Sequence, residues 1–295
     1  MNKCYSLKEY IEIINNYLDK SIGECTFGED IVHNAMKYSL GIGGKRIRPV
    51  LVLEFCRICG GDIEDALPFA AAIEMIHTYS LIHDDLPCMD DDDMRRGMPS
   101  CHKKFGEEYA LLAGDGLLTR AFGIIAESEI AKNSPEVAIE GIRLLSSLAG
   151  ADGMIGGQVV DLKNEDKPCG LDVLQTMDSL KTGALIKCSA FLGAIAAKGT
   201  KEQINAASVY AENLGHAFQI IDDILDVIGD EKELGKPIGS DADSNKSTYV
   251  SILGIEESQK YADKFTKTAI DSLNIFGSDG DFLRELAMSL VSRKN

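Results

Sequence analysis

Residues 80–97 read SLIHDDLPCMDDDDMRRG and follow the apolar run ALPFAAAIEMIHTY at residues 66–79. A helix-forming segment therefore ends where six carboxylates crowd into the ten residues 84–93. Like charges at a helix C-terminus repel one another, and the helix dipole there is also negative. Arg95 and Arg96 supply part of the compensating charge, and we expect divalent metal to supply the rest. A solvated acidic loop or a weak Ca²⁺ site is the alternative, although the spacing does not match an EF-hand.

Helical periodicity extends along most of the chain. Apolar residues recur at three- and four-residue spacing, whereas alternating β-type runs are short and few. The pattern predicts helices at residues 67–86, 109–130, 135–149, 171–197, 201–227 and 256–274. No repeat, low-complexity tract or shift in composition marks a domain linker. We therefore predict one all-α domain.

A second acid cluster lies in the sequence FQIIDDILD at residues 218–226. On a helix, Gln219, Asp222, Asp223 and Asp226 share one face. Acids in so apolar a segment are unfavourable unless they are paired or metal-bound, and no lysine or arginine lies one turn away. A polar stripe facing solvent is the alternative. If the two clusters faced each other, they would clamp a diphosphate through Mg²⁺, which favours carboxylate and phosphate oxygens.

The overall charge restricts the classes of partner. The chain has 295 residues and a formal net charge of −17, with 45% hydrophobic residues. This charge argues against nucleic acid or an anionic membrane surface as a partner. No run of about 18 apolar residues predicts a membrane span, and acids near the N-terminus argue against a signal peptide. Eight cysteines in such a chain favour the reduced state. We expect a cytoplasmic protein that attracts anions through local cations or metal.

Basic residues gather near the acid clusters. The loop GGKRIRP at residues 43–49 places three cations beside two glycines, and KTG at residues 181–183 interrupts an apolar helix. Glycines allow close backbone approach, and arginine offers paired hydrogen bonds to phosphate. His77 precedes Asp84 by seven residues, which is two helical turns or about 10 Å on the same face. A basic surface turn and a structural histidine are the alternatives, but the grouping indicates an anion site.

Together, these motifs resemble those of the trans-isoprenyl diphosphate synthases, in particular the bacterial farnesyl diphosphate synthase type. The resemblance extends through nearly the whole chain and rests on the paired aspartate motifs in this order. It implies one polyprenyl synthetase domain over residues 1–295, built as an all-α bundle of about ten or more helices around a deep central cavity. It also implies a homodimer.

The resemblance also implies the roles of individual residues. Several Mg²⁺ ions, for which Mn²⁺ can substitute, would be held by Asp84, Asp90, Asp222 and Asp226. Catalysis would depend on Asp84, Asp85, Asp90, Asp222 and Lys181. Isopentenyl diphosphate would contact Lys45, Arg48, His77 and Arg96. The allylic substrate would contact Arg95, Lys181, Thr182, Gln219 and Lys236, with Lys246 as a further basic position beside the diphosphate.

The implied activity is head-to-tail prenyl transfer. Isopentenyl diphosphate would condense with dimethylallyl or geranyl diphosphate to give farnesyl diphosphate, with release of diphosphate. Tyr79 and Ser80 lie five and four residues before Asp84, about one turn deeper along the helix. An aromatic ring at position 79 would form the floor of the cavity at the farnesyl length, although Tyr79 as an ordinary core residue is the alternative.

Other functions are compatible with the same motifs. A geranylgeranyl or geranyl diphosphate synthase would carry the same motifs. A non-catalytic subunit of a heteromeric prenyl synthase is an alternative of another class, but such subunits tend to lose motif acids and both motifs are complete here. A terpene cyclase or head-to-head synthase would share the metal chemistry, yet the GGKRIRP loop and His77 indicate a second diphosphate substrate.

Overall fold

The computed structural model describes residues 3–25, 28, 30–164, 167–228 and 247–292. Helices dominate these ranges, so the all-α fold class is confirmed. The residues group into two compact units. The first unit comprises Met1–Arg143 and Ile195–Lys198, and the second comprises Leu144–Ala194 and Gly199–Asn295.

The first unit contains seven complete α-helices and a two-stranded hairpin among its described residues. Strands β1 (Met94–Arg95) and β2 (Met98–Pro99) pair antiparallel. The helices are α1 (Leu7–Ser21), α2 (Asp30–Gly41), α3 (Ile47–Ile58), α4 (Ile63–Asp84), α5 (Cys101–Phe105), α6 (Glu107–Ala126) and α7 (Glu129–Asn133). Helix α8 (Pro135–Ala149) contributes residues to both units.

The second unit is also helical. Its described α-helices are α9 (Met154–Asn164), α10 (Leu171–Asp178), α11 (Ala184–Ala196), α12 (Lys201–Ile228), α13 (Tyr249–Leu253), α14 (Ile255–Ser272) and α15 (Asp281–Val291). The last two residues of α11 belong to the first unit. A 3₁₀ segment, Leu273–Gly280, joins the last two. Helix α12 packs along α14 and carries the second acid cluster.

Helix α4 begins earlier than its apolar pattern predicts. The predicted start was residue 67, but the Asp62 side chain accepts a hydrogen bond from the Glu64 amide at 3.0 Å and caps a helix that begins at Ile63. This cap stabilises the first turn although Pro68 lies inside the helix. The helix ends at Asp84, before Pro87, as proline chemistry predicts.

The predicted helix at residues 171–197 is interrupted. A π-helical segment, Ser179–Gly183, separates α10 from α11. The backbone of this segment lies close to α9, since a Cβ atom on Gly157 would lie 2.6 Å from the Cα of Lys181. Apolar spacing cannot reveal one extra residue in a turn, and π-helical turns occur frequently at functional sites.

Two helical segments have the length and composition of a membrane span. They are Glu107–Ala126 and Leu171–Ala196, with mean hydropathies of 1.3 and 1.2. Within the structure, 39% of the first apolar stretch and 61% of the second are buried. Core helices of soluble proteins meet the same test, so these segments are weak evidence for a membrane.

A buried arginine fixes the turn that leads into α3. Arg46 has a φ of 50° and is only 5% exposed. Its guanidinium lies 2.6 Å from the Glu74 carboxylate, donates to Asn15 Oδ1 at 3.0 Å, and also donates to the Leu40 carbonyl. The sequence assigned no role to Arg46. These contacts show that it anchors the loop that carries Lys45 and Arg48.

Replacing Arg46 should destabilise the protein strongly. In Arg46→Met, the Glu74 carboxylate would remain buried without its charged partner, which costs about 3–5 kcal/mol. The free energy of unfolding in urea measures this loss. Arg143 pairs with Glu140 at the surface, so Arg143→Met is the control and should lower the stability far less, because solvent screens an exposed ion pair. Equal losses in the two variants would contradict the assignment.

Candidate active site

The first acid cluster forms a compact turn at the end of α4. The Asp90 amide donates to the Asp84 carbonyl at 2.8 Å, and the Asp91 amide donates to the Leu86 carbonyl at 3.2 Å. Asp84 is half-buried, whereas Asp90 is exposed. The turn therefore brings the backbones of Asp84 and Asp90 together. Their carboxylates offer the oxygen ligands that Mg²⁺ prefers.

The ion pair between Arg95 and Asp85 ties the hairpin to α4. Asp85 is 2% exposed, and Arg95 Nε lies 3.0 Å from its Oδ1 and 3.2 Å from its Oδ2. Arg95 also donates to Asp92 at 3.0 Å. Burial raises the pKa of Asp85, and the guanidinium of Arg95 opposes that shift. Asp85, expected to be catalytic, and Arg95, expected to contact substrate, are thus bound to each other.

Positive charge is concentrated around His77. Burial, followed by the charges of Arg48 and Arg96, lowers the pKa of His77 well below its usual value, so the ring is neutral at pH 7. Burial also lowers the pKa of Arg48 to about 10, and Arg48 Nε has no hydrogen-bond partner among the described residues. Such a concentration of cations in a chain of charge −17 favours an anionic ligand.

Two glycines, Gly43 and Gly44, allow Arg96 to approach the basic residues around His77. Arg96 donates to the Gly43 carbonyl, and a Cβ atom on Gly44 would lie 2.5 Å from Arg96 Cζ. Gly44 also has a φ of 123°, a conformation that other residues rarely adopt. Lys45 follows directly and is exposed. Arg48, His77 and Arg96 therefore lie together in one region of the first unit, and Lys45 is part of the loop that Arg96 contacts.

Tyr79 lies in the core beneath the first cluster. It is 5% exposed, and its ring meets the His83 ring edge-on with centroids 5.7 Å apart. Burial, and then the charge of Asp84, raise the pKa of Tyr79. Its hydroxyl has no hydrogen-bond partner among the described residues. Ser80 is half-buried and donates to the His77 carbonyl at 2.9 Å.

The acids of the second cluster have different surroundings, although they share α12. Asp222 is half-buried, whereas Asp223 and Asp226 are 4% and 2% exposed. Asp223 accepts from Gln219 Nε2 at 3.1 Å and from the Tyr249 amide at 2.8 Å. Asp223 therefore fastens the start of α13 to α12.

A polar cavity of about 200 Å³ lies beside this cluster in the second unit. Three of the predicted substrate contacts line it together: Lys181, Thr182 and Gln219. Thr182 Oγ1 donates to Gln219 Oε1 at 3.4 Å, and Lys181 Nζ lies 2.5 Å from Asp161 Oδ2. The π-helical segment thus delivers Lys181 and Thr182 to one cavity.

Sequence reasoning missed two acids of this cavity, Asp161 and Asp178. The pairing of Asp161 with Lys181 is a tertiary contact across 20 residues, which spacing does not reveal. Asp178 could have been noticed as an acid three residues before KTG in an apolar helix. It is 6% exposed, and its Oδ2 has no hydrogen-bond partner among the described residues. Burial and the charge of Asp223 raise the pKa of Asp178 to about 8.

Asp178 should make stability depend on pH. Its folded-state pKa of about 8 exceeds the unfolded value of about 4, so the native state favours the protonated acid and loses stability as pH rises between these values. Asp178→Asn stays neutral and should not lose this stability. The variant's free energy of unfolding minus that of the unmodified protein should therefore be larger at pH 8 than at pH 5, by on the order of 2 kcal/mol or more.

Urea unfolding at both pH values, in EDTA, measures this gain. Asp172 is exposed on the same helix, so Asp172→Asn is the control and should show little change with pH. A stability difference for Asp178→Asn that is the same at pH 5 and pH 8 would refute the shifted pKa.

Two predicted substrate contacts lie outside the described residues, namely Lys236 and Lys246. The remaining predicted site residues divide between the units. The first unit holds the Asp84–Asp90 turn, the His77 group and Tyr79, and the second holds Lys181, Gln219 and Asp222.

Comparison with known proteins identifies close relatives. The Polyprenyl synthetase family model matches residues 29–275. Farnesyl diphosphate synthase of Micrococcus luteus is 42% identical over 287 residues, which cover 97% of this chain and 96% of that protein. Geranylgeranyl diphosphate synthase of Cyanophora paradoxa is 43% identical over 293 residues, which cover 98% of this chain and 96% of that protein.

Solved structures agree with the sequence comparison. The geranyltransferase from Helicobacter pylori, solved in complex with magnesium and isoprenyl diphosphate, has a TM-score of 0.84 and 30% sequence identity, and the match covers 98% of each chain. The family model alone spans most of the 295 residues. This chain therefore belongs to the polyprenyl synthetase family.

Proposed function

We propose that this protein is a Mg²⁺-dependent prenyltransferase that joins isopentenyl diphosphate head-to-tail to dimethylallyl or geranyl diphosphate and forms farnesyl diphosphate. The observation that carries this proposal is that the arginine and histidine group around His77 lies in the same unit as the carboxylate-rich Asp84–Asp90 turn. An anion site and a metal site in one protein suit a diphosphate substrate. Membership of the polyprenyl synthetase family supports the reaction class.

The metal ligands that we propose are Asp84, Asp90, Asp222 and Asp226. All four offer carboxylate oxygens, the donors that Mg²⁺ prefers, and the magnesium complex of the Helicobacter pylori relative supports the choice of ion. We propose several ions, with Mn²⁺ as a substitute. Mg²⁺ held by these carboxylates would neutralise the negative charge that develops on the leaving diphosphate.

We propose that isopentenyl diphosphate binds to Lys45, Arg48, His77 and Arg96. Arg48 and Arg96 provide charge, whereas the neutral His77 ring contributes hydrogen bonding. The unsatisfied Nε of Arg48 supports this role, because a buried donor without a partner costs about 1–3 kcal/mol and a phosphate oxygen would satisfy it.

We propose that the allylic diphosphate binds to Arg95, Lys181, Thr182, Gln219, Lys236 and Lys246. Arg95 and Lys181 already pair with Asp85 and Asp161. These two carboxylates would hold the basic side chains in position for the substrate. Asp85 would thus act through Arg95, whereas Asp84 and Asp90 would bind metal.

The chemistry follows from these assignments. The basic side chains around the allylic diphosphate, such as Arg95 and Lys181, would stabilise the negative charge that develops on it. Its C1–O bond then breaks and leaves an allylic carbocation. The double bond of isopentenyl diphosphate attacks C1, and a proton then leaves C2 of the isopentenyl unit. The released diphosphate takes that proton, so no side chain has to act as base. The protein excludes water, which would otherwise quench the cation.

Removal of Asp84 should abolish most of the activity. Asp84→Ala deletes a proposed metal ligand at the end of α4, and we expect turnover of isopentenyl and geranyl diphosphates to fall by at least about 100-fold. Asp271→Ala, which removes an exposed acid on α14, is the control and should keep full activity. Near-normal turnover of Asp84→Ala would contradict the assignment of Asp84 as a metal ligand.

Tyr79 should limit the length of the product. Its buried ring lies close enough to Asp84 for that charge to raise its pKa, so Tyr79→Ala should open space for chains longer than fifteen carbons. Ser80→Phe is the matched opposite change and should favour products shorter than farnesyl. Chromatography of the dephosphorylated products measures the chain length that each variant makes. An unchanged chain length in both variants would mean that other residues close the end of the substrate cavity.

We also propose that the two units form one catalytic domain, that the protein acts in the cytoplasm, and that it forms a homodimer. Eight free thiols suit a reducing compartment. Helix α6 exposes Tyr109, Leu111 and Leu112 at 39%, 46% and 50%. An apolar face of this kind favours burial against a second copy of the chain.

Dimer formation is directly measurable. Light scattering should give twice the chain mass of 32.0 kDa, and Leu112→Asp should shift the protein towards monomer, because a charge would be buried at the interface. Ile275→Asp, at an exposed apolar residue of the second unit, is the control. A monomeric unmodified protein at micromolar concentration would exclude the dimer.

A geranylgeranyl diphosphate synthase is the second candidate. The identity to the Cyanophora paradoxa enzyme of that name, 43%, is as high as that to the farnesyl enzyme of Micrococcus luteus, 42%. The two candidates differ only in where the cavity ends, so the product of the unmodified protein decides between them. A non-catalytic subunit is disfavoured, because both acid clusters are complete.

A further inference from the structure

A second group of possible metal ligands lies just beyond the Asp84–Asp90 turn. Asp91, Asp93 and His102 each offer one ligand atom, and these atoms lie within 4.8 Å of one another. The Ser100 amide donates to the Asp93 carbonyl at 2.9 Å, which brings the start of α5 beside the acids. None of the three residues has a part in the proposed prenyl transfer.

His102 points from the interior towards these acids. It is 6% exposed, and its Nε2 makes no hydrogen bond to any described residue. That nitrogen lies 3.8 Å from Asp91 Oδ1. The other ring nitrogen, Nδ1, lies 3.1 Å from the Ser100 hydroxyl. In the tautomer protonated at Nδ1, this nitrogen donates a hydrogen bond to Ser100, and the lone pair of Nε2 faces Asp91. Metal-binding histidines are commonly oriented in this way, by a hydrogen bond from the ring nitrogen that does not bind the metal.

A cation already lies at these carboxylates. Lys103 Nζ is 2.7 Å from Asp93 Oδ1 and 3.9 Å from Asp91 Oδ1. The Lys103 side chain is 41% exposed, so it can move into solvent. Asp91 and Asp93 are also exposed, at 58% and 73% of their side chains. The carboxylates can therefore rotate towards a metal ion that displaces the ammonium group.

We propose that Asp91, Asp93 and His102 bind one divalent transition-metal ion, such as Mn²⁺, in the absence of substrate. Two carboxylates and an imidazole suit Mn²⁺, Co²⁺ or Zn²⁺, whereas Mg²⁺ favours oxygen ligands alone. The site uses none of the acids assigned to catalysis. An ion there would fix Asp91, the residue that follows Asp90, and so hold the end of the Asp84–Asp90 turn.

Mn²⁺ binding to the EDTA-stripped full-length protein, without any diphosphate, tests the proposal. Mn²⁺ avoids the thiols that would compete for Zn²⁺. We expect one ion with imidazole nitrogen coupling in pulsed electron paramagnetic resonance, besides any Mn²⁺ that the catalytic acids hold. Asp93→Asn should weaken binding at least tenfold, and Lys103→Met should tighten it several-fold, because it removes the competing cation. His102→Gln should remove the nitrogen coupling.

The control separates this site from the catalytic acids. The double variant Asp84→Asn/Asp222→Asn should keep the nitrogen-coupled ion, since neither residue belongs to the proposed site. Absence of a nitrogen-coupled ion would overturn the proposal, as would an affinity for that ion that neither Asp93→Asn nor Lys103→Met changes. Because no substrate is present, these results stand apart from the outcome of the prenyl-transfer assay.

Discussion

The Arg95–Asp85 ion pair is the interaction on which the first acid cluster depends. Asp85 is buried at the end of α4, where the helix dipole and five neighbouring acids all disfavour its charge. Arg95 compensates this charge and fastens the β1–β2 hairpin to the helix. The remaining acids of the cluster can then lie close together, with Asp92 also paired to Arg95.

The same principle recurs elsewhere in the molecule. Arg46 with Glu74 anchors the loop that carries Lys45 and Arg48, and Lys181 with Asp161 fixes a basic side chain at the polar cavity. In a chain of charge −17, each of these basic groups has an acidic partner on another element. These ion pairs position the basic side chains that a diphosphate would contact. Carboxylates outside such pairs would be available to bind metal.

The sequence was sufficient to predict the acidic and basic motifs and the helices that carry them. It did not predict the tertiary contacts and burial of the residues around them. Three- and four-residue spacing placed Gln219, Asp222, Asp223 and Asp226 on one helix, yet only tertiary contacts show that Asp223 is tied to the Tyr249 amide. The π-helical segment at Ser179–Gly183 and the burial of Asp178 were equally hidden, because apolar periodicity records neither an extra residue in a turn nor the far side of a cavity. Family resemblance supplied the reaction class, which matches the relatives.

The proposed role of these charges is to promote the condensation of two diphosphates. Incubation of the protein with isopentenyl and geranyl diphosphates and Mg²⁺, followed by mass spectrometry, tests this claim most directly. We predict a fifteen-carbon prenyl diphosphate, formed together with one released diphosphate and abolished by EDTA. A folded protein that gives no condensation product with Mg²⁺ and either allylic substrate would contradict the account.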